Sequence, residues 1–121
     1  MNDNPLALII EDDEDLAAIF GEALQAAQFA TEIISDGAVA QRRLKEVIPS
    51  LVVLDLHLPN VSGEILLRQL RANPALARTR VVIASADPIS ADMLRSESDL
   101  VLVKPVSFSQ LRDLAQRLRL T

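Results

Sequence analysis

Four short, uninterrupted apolar runs constrain the fold of this chain more than any other feature of its sequence. They occupy residues 6–10, 51–54, 81–84 and 100–103. A strand with one face in water alternates apolar and polar residues, whereas a strand inside a parallel sheet is buried on both faces and stays apolar throughout. The runs therefore predict strands of a parallel β-sheet, and residues 31–35 are predicted to add one more strand.

The segments between these strands have the spacing of amphipathic helices, with apolar residues every three or four positions. The predicted helices span residues 15–28, 36–47, 63–72, about 90–96, and a last segment that begins with the capping-box pair Ser107 and Gln110. Asp36 is expected to cap the second helix, which turns Val39 inward and stops before Pro49.

Strands and helices that alternate in this way predict an α/β fold. Because crossovers between parallel strands are right-handed, the helices cover both faces and give a three-layer, doubly wound sandwich. We expect a five-stranded parallel sheet with the flavodoxin-like strand order 2-1-3-4-5, in a single domain over residues 1–121.

The composition excludes several kinds of protein. Half of the 121 residues are hydrophobic and none is cysteine, which excludes disulfides, thiolate metal sites and cysteine nucleophiles. No run approaches the roughly 20 apolar residues that span a bilayer, and no secretory signal begins the chain, so we expect a cytoplasmic protein without a membrane partner. The net charge of −5 and the scarcity of aromatic residues argue against direct nucleic-acid binding.

Polar side chains gather where the predicted strands end. The acidic segment 11–15 follows the first strand, Asp55 the third, Ser85 the fourth and Lys104 the fifth. Because the carboxyl ends of parallel strands form one crevice, we expect these groups to converge there. Each feature alone is also compatible with a solvated loop or a helix start. Their combination at matching strand ends points to one site.

The predicted site combines carboxylates, a hydroxyl and an ammonium group. An all-oxygen cluster suits a hard cation, and Mg²⁺ fits best when water and phosphate oxygens complete its ligands. Lys104 would supply a compact positive charge for a phosphoryl oxygen, and Ser85 a hydrogen bond. Asp55 would then be the nucleophile that accepts a phosphoryl group as an aspartyl phosphate.

Four segments carry a recognisable pattern: LIIEDD at 8–13, LVVLDLHLPNVSG at 51–63, VIASA at 82–86 and VKPV at 103–106. Together they resemble the receiver domain of two-component response regulators, over essentially the whole chain. The resemblance implies that Asp55 is the phosphoacceptor and also a Mg²⁺ ligand. It further implies metal ligands at three residues, namely Asp12 directly, Glu11 directly or through water, and His57 through its backbone carbonyl.

The same resemblance assigns roles around the phosphoryl group. Ser85 would bind that group and move toward it, and Lys104 would bridge to its oxygens. The peptide bond between Lys104 and Pro105 would be cis. Gly63 would release the loop after the third strand into the following helix.

His57, the only histidine of the chain, allows an alternative in which it accepts the phosphoryl group itself, as in phosphotransfer domains. The resemblance instead makes it a carbonyl donor. Its side chain and that of Asp87 are expected to flank the opening. A contact between the two would tune how fast water reaches the acyl phosphate.

Two departures from the family lie on its usual output face, formed by the fourth helix, the fifth strand and the fifth helix. Val101 stands where the family commonly has a tyrosine or phenylalanine whose ring turns inward on activation. Ser85 and Lys104 are 19 residues apart, an interval shorter than usual, so a short fourth helix is expected. These departures leave open whether the signal leaves through this face.

The predicted function is a phosphoacceptor switch charged by a histidine kinase or phosphotransfer protein with Mg²⁺, and not an enzyme beyond its own phosphorylation and dephosphorylation. By resemblance, the kinase docks on the first helix around residues 22–28, a downstream protein or output domain reads the change, and phosphorylated chains can form homodimers. One alternative is a phosphorylation-independent receiver-fold scaffold. Another is a haloacid-dehalogenase-like phosphohydrolase, although its Asp-x-Asp motif follows the first strand, not the third.

Overall fold

A parallel sheet forms the centre of the computed structural model, which describes residues 3–119. Its strands are β1 Leu6–Ile10, β2 Ala30–Ile34, β3 Leu51–Leu54, β4 Arg80–Ser85 and β5 Leu100–Val103. They lie in the order β2-β1-β3-β4-β5, and every neighbouring pair is parallel. The predicted α/β fold and its strand order are confirmed.

Helices alternate with the strands throughout the described residues. They are α1 Glu14–Ala26, α2 Gly37–Arg43, α3 Gly63–Ala72, α4 Pro88–Met93 and α5 Phe108–Arg119. Short 3₁₀ turns at Pro74–Leu76 and Arg95–Glu97 precede β4 and β5. Within residues 3–119, no helix combines the length and the apolar character needed to cross a membrane.

The helices cover both faces of the sheet, and β1 shows how. Leu8 and Ile10 pack into a core shared with α2, α3 and α4, whereas Ala7 and Ile9 pack into a core shared with α1 and α5. All four side chains are fully buried. Successive strand residues point to opposite faces, so a strand covered on both sides must be apolar at every position.

Strand β5 is less buried than its apolar sequence predicted. It lies at the edge of the described sheet, paired with β4 alone. Its first three residues are half-buried and Val103 is 48% exposed. The prediction of burial on both faces was wrong here, because an edge strand lacks a neighbouring strand on one side.

Side-chain caps begin the helices much as predicted. Asp36 Oδ1 accepts hydrogen bonds from the amides of Ala38 and Val39, at 2.7 and 3.1 Å, and so caps α2. The Ser107 hydroxyl accepts a hydrogen bond from the Gln110 amide at 3.1 Å, as the predicted capping pair requires.

Helix α2 is shorter than predicted. It ends at Arg43 and not at Val47, because the amides of Lys45 and Glu46 bond to carbonyls three residues back instead of four. Val39 is 42% exposed, so its predicted inward orientation was wrong.

Helix α4 begins at Pro88, two residues before its predicted start. Asp87 Oδ1 accepts hydrogen bonds from the amides of Ile89 and Ser90, at 3.1 and 3.2 Å. Proline fits the first helical position because its missing N–H would be unbonded there. The helix has only 6 residues, which confirms the expectation of a short fourth helix.

Candidate functional site

The sheet brings the sequence-predicted site residues together at the carboxyl ends of its strands. Glu11 follows β1, Asp55 follows β3, Ser85 ends β4 and Lys104 follows β5. The Asp55 amide donates a hydrogen bond to the Ile10 carbonyl at 2.9 Å, and the Lys104 amide donates one to the Ser85 carbonyl at 2.8 Å. The sheet register therefore places the four residues at neighbouring strand ends.

Three carboxylates form an oxygen cluster at these strand ends. Glu11, Asp12 and Asp55 each offer an oxygen, and these oxygens lie within 4.8 Å of one another. Glu11 and Asp55 are only 2% and 4% exposed, whereas Asp12 is exposed to solvent. The cluster therefore has two fixed, desolvated carboxylates and one that faces water.

Lys104 supplies the positive charge in this cluster. Its Nζ lies 2.7 Å from Glu11 Oε1 and 3.6 Å from Asp55 Oδ1. Its side chain is 16% exposed, so the ammonium group is largely withdrawn from water. A cation held this close to buried carboxylates offsets part of their mutual repulsion.

The pKa values of the ion pair show how burial and charge compete. Burial, opposed by the contact with Lys104, raises the pKa of Glu11 to about 7. Burial acts to lower the pKa of Lys104, but the contact with Glu11 and the charge of Asp55 outweigh it, so that pKa lies above its ordinary value. Lys104 is therefore held in its charged form, whereas burial favours the neutral form of Glu11.

The two oxygens of Asp55 differ in their contacts. Oδ1 faces Lys104 and also accepts a long hydrogen bond, 3.4 Å, from the His57 amide. Oδ2 accepts no hydrogen bond from the described residues. One oxygen therefore has polar contacts with the protein, and the other has none among residues 3–119.

The cluster fits a hard cation such as Mg²⁺. Its donors are all oxygens, the class that this ion prefers. Glu11 Oε1 is buried without an aligned hydrogen-bond donor, although Lys104 is close to it. The His57 carbonyl accepts no hydrogen bond within residues 3–119. A buried oxygen without a donor, such as Glu11 Oε1, is uncommon, and a bound cation would satisfy it, whereas His57 is an exposed residue.

Ser85 lies beside the cluster and is fully buried. Its Oγ accepts a hydrogen bond from the Asp87 amide at 3.0 Å. Within residues 3–119, no hydrogen bond or ion pair joins the side chains of His57 and Asp87, although His57 is near enough for its charge to act on the pKa of Asp87. Asp87 Oδ2 accepts a hydrogen bond from the Ser90 hydroxyl at 2.7 Å. The hydrogen bond from the Ser90 hydroxyl contributes most to holding the pKa of Asp87 below its ordinary value, and the charge of His57 contributes least.

Two backbone features next to the cluster were predicted from the resemblance. The peptide bond between Lys104 and Pro105 is cis. Gly63 begins α3, and a Cβ atom on it would lie 2.1 Å from the Asp55 carbonyl oxygen. Its φ is not positive, so close packing, and not conformational freedom, accounts for a glycine at this position.

The sequence analysis did not single out the contacts of Gly37 and Asn60. A Cβ atom on Gly37 would lie 1.8 Å from the Val61 carbonyl oxygen. The Asn60 side-chain amide donates a hydrogen bond to Asp36 Oδ2. The aspartate–glycine pair after the second strand was the available signal, but it indicated only a helix cap.

The face that departs from the family holds an exposed apolar groove of about 430 Å³. Val101 lines it together with Ile89 and Met93 of α4, which are 75% and 78% exposed. No aromatic side chain lines this groove. Val101, which stands where the family commonly has an aromatic residue, is half-buried at this groove.

Comparisons with known proteins agree with this geometry. The family model for the response regulator receiver domain matches residues 7–116. A phosphate regulon transcriptional regulatory protein, PhoB, of Rhizobium meliloti is 34% identical over 110 residues, which are 88% of this chain and 48% of that protein. A DNA-binding response regulator, MtrA, of Mycobacterium leprae is 33% identical over 86% of this chain and 46% of its own length. The chain therefore spans about half the length of these curated relatives.

Solved structures share the fold. A CheY-like response regulator receiver domain from Methylobacillus flagellatus is 28% identical, with a TM-score of 0.83 over 95% of this chain and 98% of that one. The receiver domain of a Pseudomonas aeruginosa sensor histidine kinase, solved with a magnesium ion coordinated in its active site cleft, is 21% identical, with a TM-score of 0.86 over 98% and 99%. The sheet order, the acidic cluster at its edge and the family match together establish that this chain belongs to the response regulator receiver domain family.

Proposed function

We propose that this receiver domain is a Mg²⁺-dependent phosphoacceptor switch whose Asp55 takes a phosphoryl group from a histidine kinase or a phosphotransfer protein. One observation carries the proposal. The buried Asp55 carboxylate lies 3.6 Å from the Lys104 ammonium group and within 4.8 Å of two further carboxylates. This arrangement offers a nucleophile, a fixed positive charge and a set of metal ligands in one cleft.

In the proposed reaction, Asp55 Oδ2 attacks the phosphorus of the donor. A new O–P bond forms as the bond from phosphorus to the donor nitrogen or oxygen breaks, and the donor leaves with that electron pair. Lys104 stabilises the charge on the phosphoryl oxygens, and Ser85 donates a hydrogen bond to one of them. Ser85 can do so because its hydroxyl hydrogen is bound only weakly, to the Asp87 carbonyl at 3.5 Å.

The metal ligands of this proposal are Glu11, Asp12, Asp55 and the backbone carbonyl of His57. When bound there, Mg²⁺ would neutralise charge on the transferred phosphoryl group and orient it for attack. The magnesium ion in the active site cleft of the Pseudomonas aeruginosa receiver domain supports this choice by analogy of fold.

The output of the switch is proposed to be a changed surface and not turnover of a separate substrate. A phosphoryl group adds about −1.5 to −2 charge beside Lys104. This added charge would compete with Glu11 for the Lys104 ammonium group. The expected donor docks near α1, an output domain or downstream protein reads the change, and the cytoplasm is the expected compartment.

Intact mass spectrometry after incubation with acetyl phosphate tests this function, with and without Mg²⁺. We expect a labile phosphoryl adduct on the wild type that requires Mg²⁺ and is absent from Asp55→Asn. An adduct that persists in Asp55→Asn would move the acceptor to another residue. No adduct on the wild type, also with a panel of histidine kinases, would contradict the proposal.

A scaffold that works without phosphorylation is the second candidate. The exposed groove at Val101 and the 6-residue α4 favour it, because both alter the usual output face. A strain carrying Asp55→Ala separates the two functions. A wild-type phenotype in that strain would favour the scaffold, and loss of signalling would favour the switch.

A further inference from the structure

The connection between β2 and α2 holds the β3–α3 loop, residues 55–62, from outside the acidic cluster. The Gly37 amide donates a hydrogen bond to the Pro59 carbonyl at 3.0 Å. The Asn60 side chain donates one to Asp36 Oδ2. Gly37 also lies so close to the Val61 carbonyl that a Cβ atom would be 1.8 Å from its oxygen. Three consecutive loop residues are therefore fixed by two residues that lie more than 20 positions earlier in the chain.

Asp36 uses its two carboxylate oxygens for different purposes. Oδ1 accepts the amides of Ala38 and Val39 and so begins α2. Oδ2 accepts the amide of Asn60. The Val39 bond contributes most to holding the pKa of Asp36 below its ordinary value, and Asn60 contributes as well. A serine at this position could replace the helix cap, but it lacks the second oxygen that accepts the Asn60 amide.

The loop is also closed on itself. The Gly63 amide donates a hydrogen bond to the Leu56 carbonyl at 3.0 Å. Asn60 adopts a left-handed conformation with φ of 70°, which asparagine tolerates better than most residues. His57 lies within this closed segment, and its carbonyl is free of hydrogen bonds from the described residues. The position of that carbonyl is thus set by how the loop is held.

The end of strand β2 also contacts the acidic cluster, on its opposite side. The Glu11 amide donates a hydrogen bond to the Ile34 carbonyl, the last residue of β2, at 3.0 Å. Two residues later, Asp36 holds Asn60. The segment between Ile34 and Gly37 therefore connects the backbone of one proposed metal ligand to the loop that carries another.

We propose that Asp36, acting through Asn60, is a positioning residue for the metal site, and this inference rests on the function proposed above. Asp36 does not touch the metal. It fixes the β3–α3 loop so that the His57 carbonyl is in place before Mg²⁺ binds. Outer groups that orient metal ligands typically account for about 10- to 100-fold in metal affinity.

Two single variants separate the loop contact from the helix cap. Asn60→Gly removes the side chain that Asp36 holds, and glycine accepts the left-handed φ without strain. Asp36→Ser keeps a helix cap and removes the oxygen that binds Asn60. Asn73→Ala is the matched control, because Asn73 also accepts a backbone amide, that of Ala75 at 3.0 Å, but belongs to a 3₁₀ turn at the other end of the sheet.

The measurement is Mg²⁺ affinity by calorimetric titration of the full chain, with thermal unfolding to verify that each variant is folded. We expect the Mg²⁺ dissociation constant to rise about tenfold in Asn60→Gly and in Asp36→Ser, and to stay at the wild-type value in Asn73→Ala. The double variant should be no weaker than either single variant, since both remove the same contact.

Phosphorylation by acetyl phosphate gives a second readout that general loss of stability would not reproduce. In both single variants the Mg²⁺ concentration for half-maximal rate should rise, while the rate at saturating Mg²⁺ stays at the wild-type value. Weaker Mg²⁺ binding in Asp36→Ser but not in Asn60→Gly would assign the effect to the α2 cap and overturn the inference. Unchanged affinity in both would overturn it while leaving the proposed function intact. A wild type that does not bind Mg²⁺ would contradict both.

Discussion

Lys104 and Glu11 form an ion pair at 2.7 Å in which both partners are largely removed from water, and the same ammonium group lies 3.6 Å from Asp55. The three side chains come from three different strand ends. Lys104 therefore links the proposed metal ligands to the proposed phosphoacceptor, and its loss should affect both.

Replacement of Lys104 by methionine should slow phosphorylation of Asp55 by about 100-fold, the scale for loss of one group that stabilises the transition state. The rate of adduct formation with acetyl phosphate at saturating Mg²⁺ measures this effect. Lys45→Met is the matched control. Lys45 is the only other lysine, and it is exposed after the C-terminal end of α2. Equal rates in the two variants would remove Lys104 from the mechanism.

Glu11 should make the stability of the metal-free protein depend on pH. Its folded pKa is about 7, above the ordinary value of 4.5, so between these values the folded state binds more protons than the unfolded state. Stability contributed by protonated Glu11 is present below about pH 4.5 and is lost as pH rises toward 7. The loss should be about 3 kcal/mol, since one pKa unit corresponds to about 1.4 kcal/mol and the raised pKa already includes the contact with Lys104.

Urea unfolding between pH 4.5 and 8 in the presence of a chelator measures that slope. Glu11→Gln keeps the shape of the side chain and removes its titration, so the fall in unfolding free energy across this range should shrink. An identical slope in the wild type and the variant would mean that Glu11 titrates normally.

Gly63→Ala should destabilise the fold by about 1–3 kcal/mol, the usual cost of forcing an extra methyl group into a packed site. The new Cβ would lie 2.1 Å from the Asp55 carbonyl oxygen, and backbone cannot yield as a flexible side chain can. Gly21→Ala is the control. Its Cβ would meet only the tips of Ile33 and Ile9, at 3.5 and 3.7 Å, and alanine favours the interior of α1 by about 0.5–1 kcal/mol.

Thermal and urea unfolding of the two glycine variants should therefore change in opposite directions. A Gly63→Ala variant as stable as the wild type would show that α3 can move away from the Asp55 backbone without cost.

Arg71→Ala should destabilise the fold by about 1–3 kcal/mol, because several charged hydrogen bonds are lost together. Arg71 donates to the carbonyls of Glu97 and Thr79, at 2.8 and 2.9 Å, and pairs with Asp99 at 3.0 Å. The contacts with Glu97 and Asp99 fix the short connection from α4 to β5, and the contact with Thr79 fixes the residue before β4. Arg68→Ala, on the same helix, removes only an exposed pair with Glu64 and should cost less than about 0.5 kcal/mol. Equal unfolding midpoints for the two variants would contradict this assignment.

Much of the fold could be predicted from local patterns in the chain. The apolar run of β1 predicted a strand buried on both faces, and the structure places Leu8 and Ile9 in opposite cores. The candidate site required one further step, since parallel strands end at a common edge. Asp55 and Lys104 could be placed there without knowing any contact between them.

Boundaries and burial were harder to predict where a local rule had a competitor. The periodic spacing after Asp36 predicted a helix to Val47, but turns end α2 at Arg43. The apolar sequence of β5 predicted full burial, although the predicted strand order already put this strand at the sheet edge, where the structure leaves it partly exposed. In both cases, the sequence pattern identified the helix or strand correctly, but the surrounding segments decided where it ended or how deeply it was buried.

The sequence by itself determined which side chains reach the cleft, because residue order fixes which residue stands directly after each strand. Only the tertiary structure decided how they differ there. Glu11 and Asp12 are neighbours in the chain, yet one is 2% exposed beside Lys104 and the other faces solvent. The hold of Asp36 on Asn60 likewise joins residues 24 positions apart. Such contacts depend on packing between distant segments, so burial, pKa and ligand position arise only once the sheet and its helices are assembled.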